Sequence, residues 1–583
     1  MIYPSLAART NVAGRPTRCL SDLRFTIYDF CFRSAAFIRI SGFGFRILWG
    51  AMGLIPPYRL VWLLAYLVLT AMASPVHAET APPEIDVLLF FDTEDYLSPA
   101  DDDATLRLCQ LLTARGIHAT FKIVGEKARV LEQRGRRDVI AALQRHDIGY
   151  HANLHSVHPV PTEYLADCGW LDGIAEFTRR EGGGAADVRR IFAVETLACY
   201  GQPGASWGPQ AFAALKAIGV APHGIPCYVD VGKHVALRNQ PYWYAGALTV
   251  YSMGPNFTRM AIHDPAALDP AKRRFSEIAQ RLSREGGGLI SSYYHPCEWI
   301  QREFWDAVNF SRGVNPPREQ WKPPPQRSAE ETDAAFKRFA EYLDYVRSLP
   351  GVRWITASDL PLLYPDVVRT EGAPEQDVAE LARRISSGNG AALDMITLGP
   401  RAYSVADQFE LLTRALYVAS AGRTAGFSLR ASGLYGPAAP PPASAAATNL
   451  NWFALRDATR EVFQFIATEH RVPDRVFIGA EKVAPADFLV ALAGAWSFYV
   501  EHGKLPTGLD TPLGRHTGIL PEKHVAEDTP DLFGGWVIHK ANFRAPKLME
   551  LARLQAWTLK PALRVVGSES PIVNPNPALE RPK

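Results

Sequence analysis

From Glu84 to about Leu363, short apolar or β-branched runs alternate with amphipathic stretches, and that alternation leaves few folds open. "EIDVLLFFD" reads as a buried strand, "DATLRLCQLLTARG" as a helix closed by Gly116, and "IHATFKIVG" as the next strand. "RRDVIAALQRH" then reads as a helix and "DIGYH" as a strand or turn, while "PQAFAALKAIGV", "GGLISSYYH" and "GVRWITASDL" continue the rhythm. Such repetition predicts an α/β parallel barrel, with its chemistry at the carboxyl ends of the strands. With 583 residues, 47% of them hydrophobic, the chain is long enough for two to four folding units with real cores, which excludes disordered, collagen-like and polytopic-membrane classes. Lys and Arg total 62 against 60 for Asp and Glu, so no nucleic-acid partner is indicated.

The barrel-like pattern occupies residues 84–366, and composition shifts after it. Residues 367–399, containing "RTEGAPEQD", read as a linker, and "GPAAPPPASAAATN" (436–449) as a flexible loop. Residues 400–565 read as a smaller helical domain built from a weak repeat. "SVADQFELLTRAL" from Ser404 and "APADFLVALAGAW" from Ala484 match in pattern, with Asp407 and Asp487 expected as helix N-caps. Residues 566–583 form a tail. At the other end, "LVWLLAYLVLTAMA" (60–73) is too short to span a bilayer and precedes Val76-His77-Ala78, the small-residue pattern of a cleavage site. Residues 52–78 therefore read as a signal peptide or an anchor, residues 1–51 as an over-called start or a cytoplasmic extension, and the remainder as exported. Five cysteines lie between residues 79 and 300, an odd number without CxxC pairs, so at least one is expected unpaired.

Three elements carry chemistry. "FFDTEDY" gathers Asp92, Glu94 and Asp95 where a strand leaves the core, and carboxylates so crowded repel unless a cation neutralises them or one keeps its proton. "HDIGYHANLHSVHP" places four of the chain's 15 histidines, His146, His151, His155 and His158, close together. The i, i+4 spacing of His151 and His155 suits one helical face gripping a divalent metal. "SSYYHPCEW" adds His295 and Glu298 after a further strand. Two histidines and one carboxylate leave positions open for water and substrate, the catalytic arrangement, with zinc as the default ion and iron, cobalt or nickel accommodated. A second carboxylate and a separate His would then move protons, which describes hydrolysis of an amide. Trp207, Tyr228, Trp243, Tyr244, Tyr293, Tyr294 and Trp299 recur near these strand ends as aromatic candidates for stacking on a sugar ring, with Trp207, Tyr294 and Trp299 singled out.

These residues resemble the polysaccharide deacetylases, the NodB-homology or carbohydrate esterase family 4 group. "FDTED" looks like the family's first motif, "GIHATFKIVGE" like its second strand, "DIGYHANLH" like its His-x-x-x-His motif, and "YYHPCEW" like its late catalytic strand. The resemblance implies a distorted (β/α)7 barrel over residues 84–365 and N-deacetylation of an N-acetylated envelope or extracellular polysaccharide. It implies Asp92 as general base, His295 as general acid, His151 and His155 as metal ligands, and Glu94 or Asp95 as the third ligand. His155 with His158 is a rival register, because the family's Pro usually follows the second ligand directly. The family's third motif presents an Arg where this chain has Gly201 in "CYGQPGASWG", so another cation such as Arg312 would have to substitute in space, or the site is tuned differently, or catalysis is lost. Rival readings are a non-catalytic glycan-binding barrel and a cyclic-amide hydrolase of the same fold. Residues 400–510 are faintly similar to pseudomurein-binding repeats, which implies a cell-wall glycan as a second partner.

Overall fold

The computed structural model describes residues 84–565, apart from 238, 389–390, 423–425, 427, 445–448, 508–510, 513–514 and 535–537. The expectations for residues 1–78 and for the tail lie outside the described residues. No helix among the described residues is long and apolar enough to cross a membrane.

β1 (Ile85–Thr93) is the hub of a parallel sheet. It pairs with β2 (Thr120–Ile123), which pairs with β3 (Asp147–Tyr150). It also pairs in parallel with β7 (Gly288–Tyr294) and β8 (Val352–Ile355). Between these come β4 (Cys227–Val229), β5 (Tyr242–Tyr244) and β6 (Ala247–Val250). Single bridges at Tyr200 join β3 to β4, and a bridge between Phe257 and Ser291 reaches β7. The result is a mixed α/β arrangement around a parallel sheet. The expected seven-stranded barrel is not seen closed, because no continuous ladder joins β6 to β7 among the described residues, and β5 runs antiparallel to β6.

Strand alternation sorts the side chains. Val87, Leu89 and Phe91 of β1, with Phe121 and Ile123 of β2, join a core shared with Leu108 and Leu112 of α1 (Pro99–Thr113). The alternate residues Leu88 and Phe90 join a separate core with Cys199, Val229 and Leu248. Asp92 and Lys122 belong to that second register, so the two chemistry-bearing residues point the same way. All five described cysteines are free thiols.

The carboxyl-terminal part is helical, and its regular elements begin inside residues 367–399, where a linker was expected. α2 (Glu375–Ser387), a hairpin of β9 (Ile396–Leu398) and β10 (Arg401–Tyr403), and α3 (Val405–Ser420) form one half. α4 (Trp452–Glu469), a hairpin of β11 (Val476–Ile478) and β12 (Glu481–Val483), and α5 (Pro485–His502) form the other. Asp407 and Asp487 are not the N-caps. Ser404 caps α3 by accepting from the Asp407 N–H, with Asp407 at the third helical position, and Asp487 is placed equivalently behind Ala484. The expected 400–565 unit also differs at its far end. Val525, Leu532, Phe533, Leu548 and Leu559 pack in the core of the first sheet's helices, and β13 (Lys560–Pro561) pairs with β5.

That return is pinned by a buried charge. Lys560 Nζ lies 2.8 Å from Asp366 Oδ2 and 2.8 Å from Asp407 Oδ2. Lys560→Met would leave two buried carboxylates facing each other without a cation, so a loss of about 3–5 kcal/mol is expected in denaturant unfolding. A loss below ~1 kcal/mol would show that water solvates the pair.

Candidate active site

The carboxyl ends of β1, β3 and β7 bring five of the expected residues together, of which Asp92, Glu94 and His295 line a cleft of about 400 Å³. Glu94 Oε2 is 2.9 Å from His155 Nε2 and 3.6 Å from His151 Nε2. His295 Nε2 is 3.6 Å from Asp92 Oδ2 and 3.9 Å from Glu94 Oε2. All five side chains are buried or nearly so.

The histidines sit where an irregular loop leaves β3, not on a helical face. Ala152 and His155 take positive φ values of 63° and 53°, which turn the chain so that both rings face Glu94. The outer nitrogens are committed: His151 Nδ1 is 3.0 Å from the Gly201 carbonyl, and His155 Nδ1 is 2.6 Å from Ser156 Oγ, which donates to Asp306. The inner nitrogens are not. His151 Nε2, His155 Nε2 and Glu94 Oε1 are buried without a hydrogen-bond partner. Bonds of 2.0–2.2 Å to a tetrahedral zinc place its ligand atoms about 3.4 Å apart, close to the 2.9 and 3.6 Å seen. Orphaned Nε2 lone pairs backed by bonded Nδ1 atoms therefore fit one divalent cation. A group of Glu94, His151 and His155 atoms within 4.8 Å of one another meets the need.

Electrostatics points the same way. Burial holds His151 below its ordinary value, so it is neutral and ready to ligate. Burial opposes protonation of His155 too, but the Glu94 carboxylate outweighs it and raises that imidazole. Cation uptake should therefore displace a proton, and zinc affinity is expected to rise with pH as His155 is deprotonated, measured by competition titration between pH 6 and 8; a flat profile would contradict this.

Asp95 stands apart from the set. Its Oδ1 accepts from the backbone N–H groups of Leu97 (2.7 Å) and Ser98 (3.1 Å), and Gln301 donates to Oδ2. It is a turn-forming carboxylate, and the one-residue spacer from Asp92 brings Glu94 to the histidines instead. His158 is engaged by Glu163 at 2.7 Å, and His146 packs in the core with burial pushing it down to about 4. Trp207, Tyr294 and Trp299 are each no more than 0% exposed, so none offers a face for stacking on a sugar. Tyr294 and Trp299 pack against Phe339, and Trp207 stacks on His234. Tyr293, the neighbour of opposite register, lines the cleft, with Leu532 from the returning segment.

His295 has its own partner. Glu298 Oε1 lies 2.5 Å from His295 Nδ1 and accepts from the His295 backbone N–H, and Arg259 in turn holds Glu298. Burial disfavours the imidazolium, but Glu94, Glu298 and Asp92 outweigh it and raise His295 to about 9. An acid must carry its proton, so activity that depends on this one is lost as pH rises through its folded value. A cation on Glu94 would cancel one raising charge, so the alkaline limb is expected below 9. Glu298→Gln is expected to move it about one further unit toward acid and to lower turnover ~10-fold, read from a pH–rate profile. An unmoved limb would assign it to another group.

Asp92 is more than a carboxylate at a strand end. Burial would push it up, yet Lys122, His151 and His295 together hold it below the usual range, so it is ionised and able to take a proton. Lys122 and its second partner Asp230 were not singled out by sequence; the signal was a lysine inside the apolar strand "ATFKIVG". Arg312 is exposed at a turn, so the cation beside Asp92 is Lys122.

No protein-family model matches the chain, and no curated protein matches it. Among solved structures it is similar to Puue allantoinase, at 12% identity over 50% of this chain and 96% of that one, with a TM-score of 0.32. It is similar to the Xyl-CE4 domain of a multidomain xylanase from the hindgut metagenome of Trinervitermes trinervoides, at 9% identity over 48% and 90%, TM-score 0.26. It is also similar to a variant of the peptidoglycan deacetylase PdaC from Bacillus subtilis, at 13% identity over 52% and 98%, TM-score 0.24. Likeness at this level carries no functional argument, and none of it bears on the pseudomurein-binding resemblance.

Proposed function

We propose that this chain is an exported, metal-dependent hydrolase of non-peptide carbon–nitrogen bonds, acting as an N-deacetylase of an envelope or extracellular polysaccharide. The observation that carries the reading is the convergence of two orphaned imidazole nitrogens, of His151 and His155, on the Glu94 carboxylate, beside an ionised Asp92 and a raised His295. A divalent cation held there, zinc by default, would supply Lewis acidity and a water acidified toward neutral pH. Asp92 takes the proton of the attacking water. His295, held in one orientation by Glu298, returns a proton to the departing amine nitrogen, so the amine leaves neutral. Burial of both groups keeps bulk water from competing for those protons.

One observation favours a second reading, a small cyclic amide as substrate. A cleft of about 400 Å³ is at the small end for ligand sites, and of the aromatic residues expected at the strand ends Tyr293 alone is among its lining residues. A panel decides: acetate release from N-acetylglucosamine oligomers of increasing length, beside ring opening of hydantoin. Turnover that grows with oligomer length supports the polysaccharide, and turnover of hydantoin alone would replace it with the cyclic amide. Zinc binding without turnover of either would leave a glycan-binding barrel. Attachment to a wall glycan through residues 400–510 is proposed on their repeat alone and is tested by pull-down on purified wall material.

A further inference from the structure

Lys122 is fully buried on β2, and its ammonium lies 2.8 Å from Asp92 Oδ1, 2.8 Å from Asp230 Oδ2 and 2.9 Å from the Val229 carbonyl. Asp92, Asp230 and His151 form a second group of ligand-type atoms within 4.8 Å of one another. Two of its three members already contact the ammonium, so the protein's own cation stands where a second metal would. Gly201 borders the same place. It has no positive φ, so its backbone does not demand glycine, but a Cβ there would fall far inside contact distance of Lys122 Nζ and Asp230 Oδ2.

We propose that Lys122 is a built-in counter-cation that positions Asp92 for proton transfer, and that Gly201 is the space its ammonium requires. This rests on reading Asp92 as the proton acceptor. Without Lys122, Asp92 would lose the ammonium that sits 2.8 Å from its Oδ1 and be free to swing toward the metal position, ceasing to present Oδ2 to the cleft. An ammonium this close also repels a divalent ion bound at Glu94, His151 and His155. Its removal should therefore tighten metal binding, whereas a merely structural lysine would loosen binding when lost.

The test uses the full chain, with Lys122→Met and the double variant Lys122→Ala/Gly201→Arg, which supplies a cation to the same place from the neighbouring strand position. Zinc affinity is measured on metal-stripped protein against a chromophoric chelator, and acetate release on N-acetylglucosamine oligomers. Lys122→Met is expected to lower kcat about 100-fold with KM within ~3-fold, and to bind zinc about 10-fold tighter. The double variant is expected to recover at least ~10-fold in kcat and wild-type zinc affinity. Unchanged kcat, or weaker zinc binding by Lys122→Met, would overturn the assignment. If Lys122→Met does not fold, Lys122→Met/Asp230→Asn, which leaves one buried carboxylate fewer without its cation, decides: lowered kcat with tighter zinc binding supports the proposal, and unchanged kcat, weaker zinc binding or failure to fold contradicts it. Absence of turnover in the wild-type chain would count against the hydrolase reading instead, and the zinc titration would still judge Lys122.

Discussion

Asp92→Asn is expected to lower turnover about a thousandfold while one zinc per chain stays bound. The substitution keeps the shape of the side chain and leaves Glu94, His151 and His155 untouched, so the metal position survives. It removes the negative charge that accepts the proton of water, and general-base removal costs roughly 10²–10⁴ in rate. Lys122 retains Asp230 as a partner at 2.8 Å, so the buried ammonium is not stranded and the fold should hold. Steady-state acetate release with metal content on the same sample checks both halves. Activity within tenfold of wild type would transfer the base role elsewhere, with Asp230, which lines the same cleft, a candidate.

The second large effect is expected at the ligand pair. His151→Ala/His155→Ala removes two of three convergent ligand atoms and leaves Glu94 buried opposite His295 alone. One carboxylate does not hold a divalent ion against competition from water, so stoichiometric zinc binding is expected to disappear and turnover with it, by about 10⁴-fold or more. His151 and His155 lie in a loop, and their rings contact Gly201, Ser156 and Trp305 rather than the main cores. The cold-folded structure should therefore persist, visible as unchanged circular dichroism. Retention of one tightly bound zinc would mean that the metal sits elsewhere.

The strand ends of the candidate site were legible because they combine two independent signals, apolar strands of the right length and polar residues gathered where those strands stop. Asp92, His151, His155 and His295 converge for that reason. The choice between Glu94 and Asp95 was not legible, since it depends on how the turn after β1 uses one carboxylate to satisfy the backbone of Leu97 and Ser98. Aromatic residues misled for a related reason. In a strand, neighbours of opposite register face opposite sides, so Tyr293 reaches the cleft while Tyr294 reaches the core, and the tetrapeptide alone does not say which. Lys122 and Gly201 are far apart in sequence, and the close approach of the Lys122 ammonium to Gly201 is visible only where β2 and the Tyr200 segment come together. The return of residues 525–561 to the first sheet was hidden because a helix that packs on a distant core has the same periodicity as one that packs on its neighbour.

The most direct test of the account is acetate release from N-acetylglucosamine oligomers by one preparation measured three times: as purified, after chelation, and after addition of one equivalent of zinc. The account predicts turnover that chelation abolishes and one equivalent restores. Release that survives removal of the metal, or a chain that binds no zinc in the presence of intact Glu94, His151 and His155, would contradict it.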